Sequence, residues 1–383
     1  MSALLLCACG QKRQEPIVTP WGQVVDSIPA GDGFDLDDIQ RNGELIALTQ
    51  TGPETYYDYR GRHLGTQYLL AQRFANKLGV SLRVEVCRDS AEMVRRLHDG
   101  EADLVLFATP VRRSAAASSS SSMPPNWLMG DDKDDLLKEL SAWYRPALLA
   151  EVKKEEDFLL SSRSVKRRVF SPMLNRAGGV ISHYDGLFQR YASTIRLDWR
   201  LMAAQCYQES TFDPQARSWA GACGLMQIMP STADHLGLAR SDMFDPEKNI
   251  AAAAKLMGQL DAAFSDVPNR TERLKFVLAA YNGGAFHIRD AMALAEKNGH
   301  NARLWADVEP YVLGLATPEY YNDPVVKYGY MRGSETAGYV SKIMERWAGY
   351  RGVKTIRGGA GPAGTPQKAR HARKKKYQID EHS

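Results

Sequence analysis

The stretch YQESTFDPQARSWAGACGLMQIMPSTA, residues 207 to 233, contains a single glutamate, Glu209, and then glycines, hydroxyls and amides. Spacing places that acid on a helix. Asp198 suits an N-cap, because its carboxylate can accept the first free N–H groups of the segment that follows. From there Met202, Cys206 and Glu209 recur at i, i+4 and i+7, so the glutamate shares a face with apolar residues. Ser210-Thr211 and Asp213-Pro214 then stop the helix and leave Glu209 in its last turn. The negative end of the helix dipole and the apolar surroundings both disfavour a carboxylate, which predicts a raised pKa. A carboxyl group that keeps its proton near neutral pH can serve as a general acid. The plainer alternative is a glutamate that ends an amphipathic helix with its head in solvent.

The elements around this acid are helical in pattern. ISHYDGLFQRYAST, DWRLMAAQCYQES, NIAAAAKLMGQLDAAF, TERLKFVLAAYNGG, HIRDAMALAEKNG and ETAGYVSKIMERWAGY follow one another with short loops, predicting a mainly α domain over 181–350. The N-terminal part reads differently. ELIALT (44–49) predicts a strand, and GTQYLLAQRFANKLG puts Leu70, Phe74 and Leu78 at helical spacing with Gly79 as C-cap. VSLRVEV alternates Val80, Leu82, Val84 and Val86 as a half-buried strand, DSAEMVRRLHDG is a capped helix ending at Gly100, and ADLVLFA is another strand. That alternation predicts a small α/β lobe with parallel pairing over 41–150. Near its end DDKDDLLKELSAWYR would set Leu136, Leu137, Leu140, Trp143 and Tyr144 on one helical face. Residues 151–180, charged and then turn-rich, read as a connector. The fold class expected is α+β overall.

Several blocks carry a resemblance. YQES, then ARSWAGACGLMQIMPSTA, then AAYNGG some fifty residues on, with ETAGYV behind them, resemble in order the motifs of the lytic murein transglycosylases, whose catalytic domain is lysozyme-like. The resemblance implies Glu209 as the catalytic acid/base. It further implies that Ser218, Gln227 and Thr232 line a saccharide groove and that Met226 forms an apolar wall of it. Tyr281 and Asn282 would face the acid and the sugar, and Tyr339 would stand near the catalytic centre. Glycosidases commonly use two carboxylates, and no second one stands out here: Asp213 reads as helix-stop chemistry, while Asp234 and Asp245 have no supporting context. A lytic transglycosylase needs only one. Its acid protonates the oxygen between N-acetylmuramic acid and N-acetylglucosamine, the substrate's N-acetyl group assists, and the muramyl C6 hydroxyl closes a 1,6-anhydro ring. A goose-type lysozyme-like hydrolase, with water as acceptor, is the alternative within enzymes.

The region GELIALTQTGPETYYDYRGRHLGTQYLLAQRFANKLGVSLRVEV, followed by LHDGEADLVL, resembles the first lobe of family 3 of the bacterial extracellular solute-binding proteins. Those proteins hold amino acids or similar solutes between two lobes. Here ATPVRRSAAASSSSSMPPNWL stands where a second lobe would be, so a truncated lobe with a scaffolding or regulatory role is expected. A non-catalytic protein that binds muropeptides or amino acids is the alternative from another class.

Composition sets the remaining bounds. The 383 residues suffice for two cored domains, and 44% hydrophobic with 25% charged content is ordinary for a globular protein. No run of eighteen apolar residues predicts a membrane-spanning helix. MSALLLCACGQ resembles a bacterial lipoprotein processing site with Cys9 as the lipidated residue, so residues 1–40 read as signal and linker. An anchor in outer-membrane lipid on the periplasmic face, with peptidoglycan glycan strands as partner, is the expected setting. Cys206 and Cys223 could be paired or free; no C-x-x-C pair suggests a metal, and no cofactor is called for. From Arg351 onward nine Lys/Arg stand against two Asp/Glu, a net of +7, so the total of +4 leaves about −3 for the rest. This basic Gly/Pro-rich tail, 351–383, has too little aromatic content for nucleic-acid binding and reads as a disordered, solubilising segment. Oligomeric state is not legible.

Overall fold

Leu45, Ala47 and Leu48 give the predicted strand ELIALT two apolar faces, and a strand buried on both faces belongs in the middle of a sheet. The structure, a computed structural model, describes residues 17–18, 24–25, 35–110, 123–130, 133–161 and 164–352. Cys9, most of the serine-rich run and the basic tail lie outside the described residues. The chain divides into two compact units, Met1–Phe158 and Leu159–Ser383.

In the first unit β1 (Ile17–Val18) pairs antiparallel with β2 (Val24–Val25). Helix α1 (Leu36–Asn42) leads into β3 (Glu44–Thr49), and β4 (Tyr57–Tyr59) forms a hairpin with β5 (Arg62–Leu64). Then come α2 (Thr66–Leu78), β6 (Ser81–Val86), α3 (Ser90–His98), β7 (Leu104–Leu106), β8 (Trp127–Met129), α4 (Asp134–Trp143) and α5 (Ala147–Leu160). The sheet order is β6-β3-β7-β8, with β3 parallel to both β6 and β7 as the alternation predicts. β8 is the departure: it runs antiparallel to β7, three residues of the segment NWLM returning at the edge. One face packs Leu70, Phe74, Trp127, Leu136 and Leu140; the other packs Met93, Leu97, Phe107 and Leu128. Leu137 is a correction. It points to solvent at 39% exposed, because the buried stripe of α4 is only Leu136 and Leu140 wide.

The segment expected to open the connector is instead the last helix of this unit. Leu148 and Val152 of α5 enter its core, and Glu156 follows them inward. The Glu156 carboxylate accepts from the Tyr57 hydroxyl, the Gly65 N–H and the Thr66 hydroxyl, each at 3.0 Å. Gly65 is required there: a Cβ would stand 2.3 Å from the Thr55 carbonyl oxygen. Burial raises the Glu156 pKa despite the three donors. A raised folded pKa means that its contribution to stability is whole below the ordinary carboxylate range. That contribution is lost as pH rises through the folded value. Glu156→Gln keeps an acceptor for Tyr57 and Gly65 and cannot ionise. Its thermal unfolding, followed by circular dichroism from about pH 4 to 8, should therefore show a smaller fall in stability with pH than the parent chain. An equal fall would remove Glu156 as its source.

The second unit is mainly α. It contains α6 (Asp185–Thr194), α7 (Trp199–Ser210), α8 (Pro230–Leu236), α9 (Pro246–Ala263), α10 (Arg270–Gly283), α11 (Ala285–Lys297), α12 (Trp305–Gly314), α13 (Pro318–Tyr321) and α14 (Gly333–Arg351). α10 is the central helix: Phe276, Val277, Leu278, Ala279 and Ala280 are buried in succession, which only a helix enclosed on nearly every side achieves. It packs on α9, α11 and α14, while α7 lies between α6 and α14. Among the described residues, none of the helices is long and apolar enough to cross a membrane.

Candidate active site

α7 runs as its caps dictate. The Asp198 carboxylate accepts the Arg200 N–H, and the helix stops at Ser210 with Thr211 in the left-handed region. Glu209 is therefore in the last turn, 8% exposed, beside the buried thiol of Cys206. Two successive non-glycine residues, Thr211 (φ 54°) and Phe212 (φ 62°), take left-handed backbone, a conformation that needs outside support. The support comes from residues 166–168. Lys166 and Arg217 exchange backbone hydrogen bonds at 2.9 Å in both directions. The Arg167 guanidinium donates to the Glu209 carbonyl oxygen at 3.0 Å, and the Thr211 hydroxyl donates to the Arg168 carbonyl at 2.7 Å. Asp213 accepts the Arg168 N–H through Oδ2 and the Gln215 N–H through Oδ1, which accords with its reading as helix-stop chemistry. A cation at this helix end also offsets the dipole.

The Glu209 carboxylate meets α14. Tyr339 donates its hydroxyl to Glu209 Oε1 at 2.5 Å and accepts from Gln205 Nε2 at 3.1 Å. Burial, and then the nearby Glu209 charge, push the Tyr339 phenol well above its ordinary range, and the same two causes act on Tyr281. Both tyrosines are thus neutral donors. The Tyr281 hydroxyl donates to the Met226 carbonyl at 2.8 Å, tying α10 to the loop after α7.

That loop is built on buried polar groups. Asn249, near the start of α9 and fully buried, accepts the Met226 N–H at 2.8 Å and donates to the carbonyls of Cys223 at 3.1 Å and Met243 at 2.8 Å. Gly224 (φ +78°) lies against it, a Cβ there standing 2.6 Å from Asn249 Nδ2. Gln227, itself left-handed at φ 49°, donates to the carbonyls of Ala216 and Gly224. Ser218 closes the preceding turn, its hydroxyl accepting the Ala222 N–H at 2.9 Å. The Met226 side chain is fully buried in the core, and Thr232 sits half-buried in the first turn of α8. Asn282 accepts the Thr336 hydroxyl at 2.8 Å, and Gly283 leaves room for Met331 and Thr336.

The structure thus joins Tyr339 to Glu209 directly, and Tyr281 to the Met226–Gln227 loop. It ties Asn282 of α10 through Thr336 to α14, the helix that carries Tyr339, and it leaves Thr232 outside these hydrogen bonds. Cys206 and Cys223 are free, buried thiols. Among the described residues no cluster of His, Cys, Asp and Glu could hold a metal ion. Three residues of this network escape sequence reasoning. Asn249 looks like an ordinary first-turn residue and Arg167 like one of a basic run. Gln205 had a signal, its place four residues before Glu209 on one helix face.

A buried acid at a helix end, held by a neutral tyrosine in a mainly α domain, is placed as a general acid would be. Residues 186–304 match the transglycosylase SLT domain family. Several curated relatives are named membrane-bound lytic murein transglycosylase F. The protein from Maricaulis maris (strain MCS10) is 38% identical over 172 residues, 45% of this chain and 37% of the relative. That from Aeromonas hydrophila subsp. hydrophila is 27% identical over 416 residues, 81% of this chain and 82% of the relative. Since 81% of 383 is about 310, about a hundred of those 416 positions have no counterpart in this chain. Against several other relatives of the same name the match spans about a third of their length. Among solved structures, domain 1 from TmArgBP in its arginine-bound form aligns at 19% identity over 30% of this chain and 98% of that one, with a TM-score of 0.24.

Proposed function

We propose that the chain is a peptidoglycan lytic transglycosylase that cleaves the β-1,4 bond between N-acetylmuramic acid and N-acetylglucosamine and leaves 1,6-anhydromuramic acid ends. One observation carries this reading. Glu209 is held at Oε1 by a neutral phenol, and the nearest carboxylate in sequence, Asp213, spends both oxygens on backbone N–H groups. A single acid fits a reaction in which the substrate supplies its own nucleophile. Protonated Glu209 gives its proton to the glycosidic oxygen, and the substrate's N-acetyl group assists the developing oxocarbenium. Ionised Glu209 then takes the C6 hydroxyl proton as that oxygen closes on C1, which regenerates the acid. No water is consumed and no second carboxylate is required to activate one.

In this reading Ser218, Met226, Gln227, Thr232, Tyr281, Asn282 and Tyr339 form or support the saccharide groove. Glycan strands are the partner, the work is cell-wall turnover, and a lipid on Cys9 holds the chain at the outer membrane. The names of the relatives and the SLT domain match support the envelope setting. Mass analysis of products from purified sacculi tests the chemistry. Muropeptides ending in the anhydro sugar are expected. Products heavier by one water, with reducing ends, would make the chain a hydrolase, and no release at all would end the enzymatic reading.

A further inference from the structure

Gln205 lies one turn before Glu209 on α7, is fully buried, and has no part in the acid–base cycle just described. Its Nε2 donates to the Tyr339 hydroxyl oxygen at 3.1 Å, and that hydroxyl in turn donates to Glu209 Oε1 at 2.5 Å. Among the described residues its own Oε1 is buried without a hydrogen-bond partner. A buried acceptor left unpaired is unfavourable, and an apolar side chain of similar size would avoid that loss. Packing is therefore a poor reason for an amide at 205.

The proton inventory supplies a better one. A phenol has a single proton to donate, and its oxygen can accept from elsewhere. If nothing donated to the Tyr339 oxygen, its hydroxyl could turn away from Glu209. Donation from Gln205 occupies the far side of that oxygen and leaves the proton aimed at Oε1. We infer that Gln205 is a positioning residue that fixes the direction of the Tyr339 proton. Glu209 Oε1 is then an acceptor in both protonation states, and the proton exchanged with substrate resides on Oε2. The inference rests on the acid–base role proposed for Glu209. The protons balance: those of the Gln205 amide and the Tyr339 hydroxyl stay in place throughout. Only the Oε2 proton leaves, to the glycosidic oxygen, and the substrate hydroxyl returns one to the same atom.

The test is a double-mutant cycle in the full chain, with solubilised peptidoglycan fragments as substrate and kcat and KM measured separately. Gln205→Met should lower kcat about tenfold with KM within about twofold, since the amide acts on the reacting carboxyl and not on sugar binding. Tyr339→Phe should lower kcat on its own. The double variant should be no slower than Tyr339→Phe alone, because the amide works only through the phenol oxygen. Multiplying effects, or an unchanged kcat in Gln205→Met, would overturn the inference. Melting temperatures accompany each variant, and Gln205→Leu replaces Gln205→Met if the latter does not fold. Anhydro products from the parent chain, together with an indifferent Gln205→Met, would remove this inference and leave the proposed function standing. No products from the parent chain would remove both.

Discussion

Glu209→Gln is expected to cut the release of anhydromuropeptides by about a thousandfold, within the range that removal of a general acid produces. The amide matches the carboxyl in shape and keeps an oxygen where Tyr339 donates, so the hydrogen bond from α14 survives. Arg167 holds the residue through its backbone carbonyl, which the substitution does not touch. Melting temperature should therefore stay within a few degrees of the parent. On the proposed mechanism the variant lacks the proton for the glycosidic oxygen and, a step later, the base for the C6 hydroxyl. With both steps assigned to one residue, product analysis should find the anhydro ends reduced to that small remainder and no reducing ends in their place. Undiminished release from a folded Glu209→Gln chain would sink the mechanism. Loss of activity accompanied by a large drop in melting temperature would point instead to a structural role for the acid.

How far the site could be read from sequence depends on the range of the interactions that make it. α7 was legible because its signals are local: Asp198 caps it, Ser210-Thr211 ends it, and apolar spacing turns Glu209 inward. The strands ELIALT and ADLVLFA, and the helix stopped at Gly79, were legible for the same reason. β8 was not, since three residues after a low-complexity run carry no periodicity. Nor was the inward turn of Glu156, whose three donors lie some ninety residues earlier in the chain. The meeting of Tyr339 with Glu209 spans 130 residues. Motif resemblance could place the tyrosine near the acid, but only the packing of α14 on α7 gives it a bond to Oε1. Residues 166–168 are the plainest failure. Their work is done mostly by backbone groups on a left-handed turn, and no side-chain pattern announces it.

Asn249 is the least legible of the residues on which the site depends, and Asn249→Asp should show it with a destabilisation of about 3–5 kcal/mol at neutral pH. The aspartate keeps an oxygen for the Met226 N–H. Where the amide nitrogen stood, a second oxygen would face the carbonyls of Cys223 and Met243, which lie 3.1 and 2.8 Å from that nitrogen. Two favourable contacts become repulsive in a fully buried place. Relaxation is blocked on the side where Gly224 sits, close enough that even an added Cβ would come within 2.6 Å of the amide. For a domain of this size each kcal/mol corresponds to about 2–4 °C, so a fall of about 6–20 °C in melting temperature is expected. The loss should depend on pH in a fixed sense. Burial raises the pKa of the new carboxyl, and its neutral form can donate to one of the two carbonyls. The deficit is therefore smallest below the ordinary carboxylate range and grows as pH rises through the folded value. Activity should fall along with stability, because Met226, held at its N–H by Asn249, receives the Tyr281 hydroxyl at its carbonyl. Equal melting temperatures for Asn249→Asp and the parent across about pH 4 to 8 would mean that the loop is held by something other than this amide. A loop built on backbone hydrogen bonds to one buried side chain should fail first at that side chain.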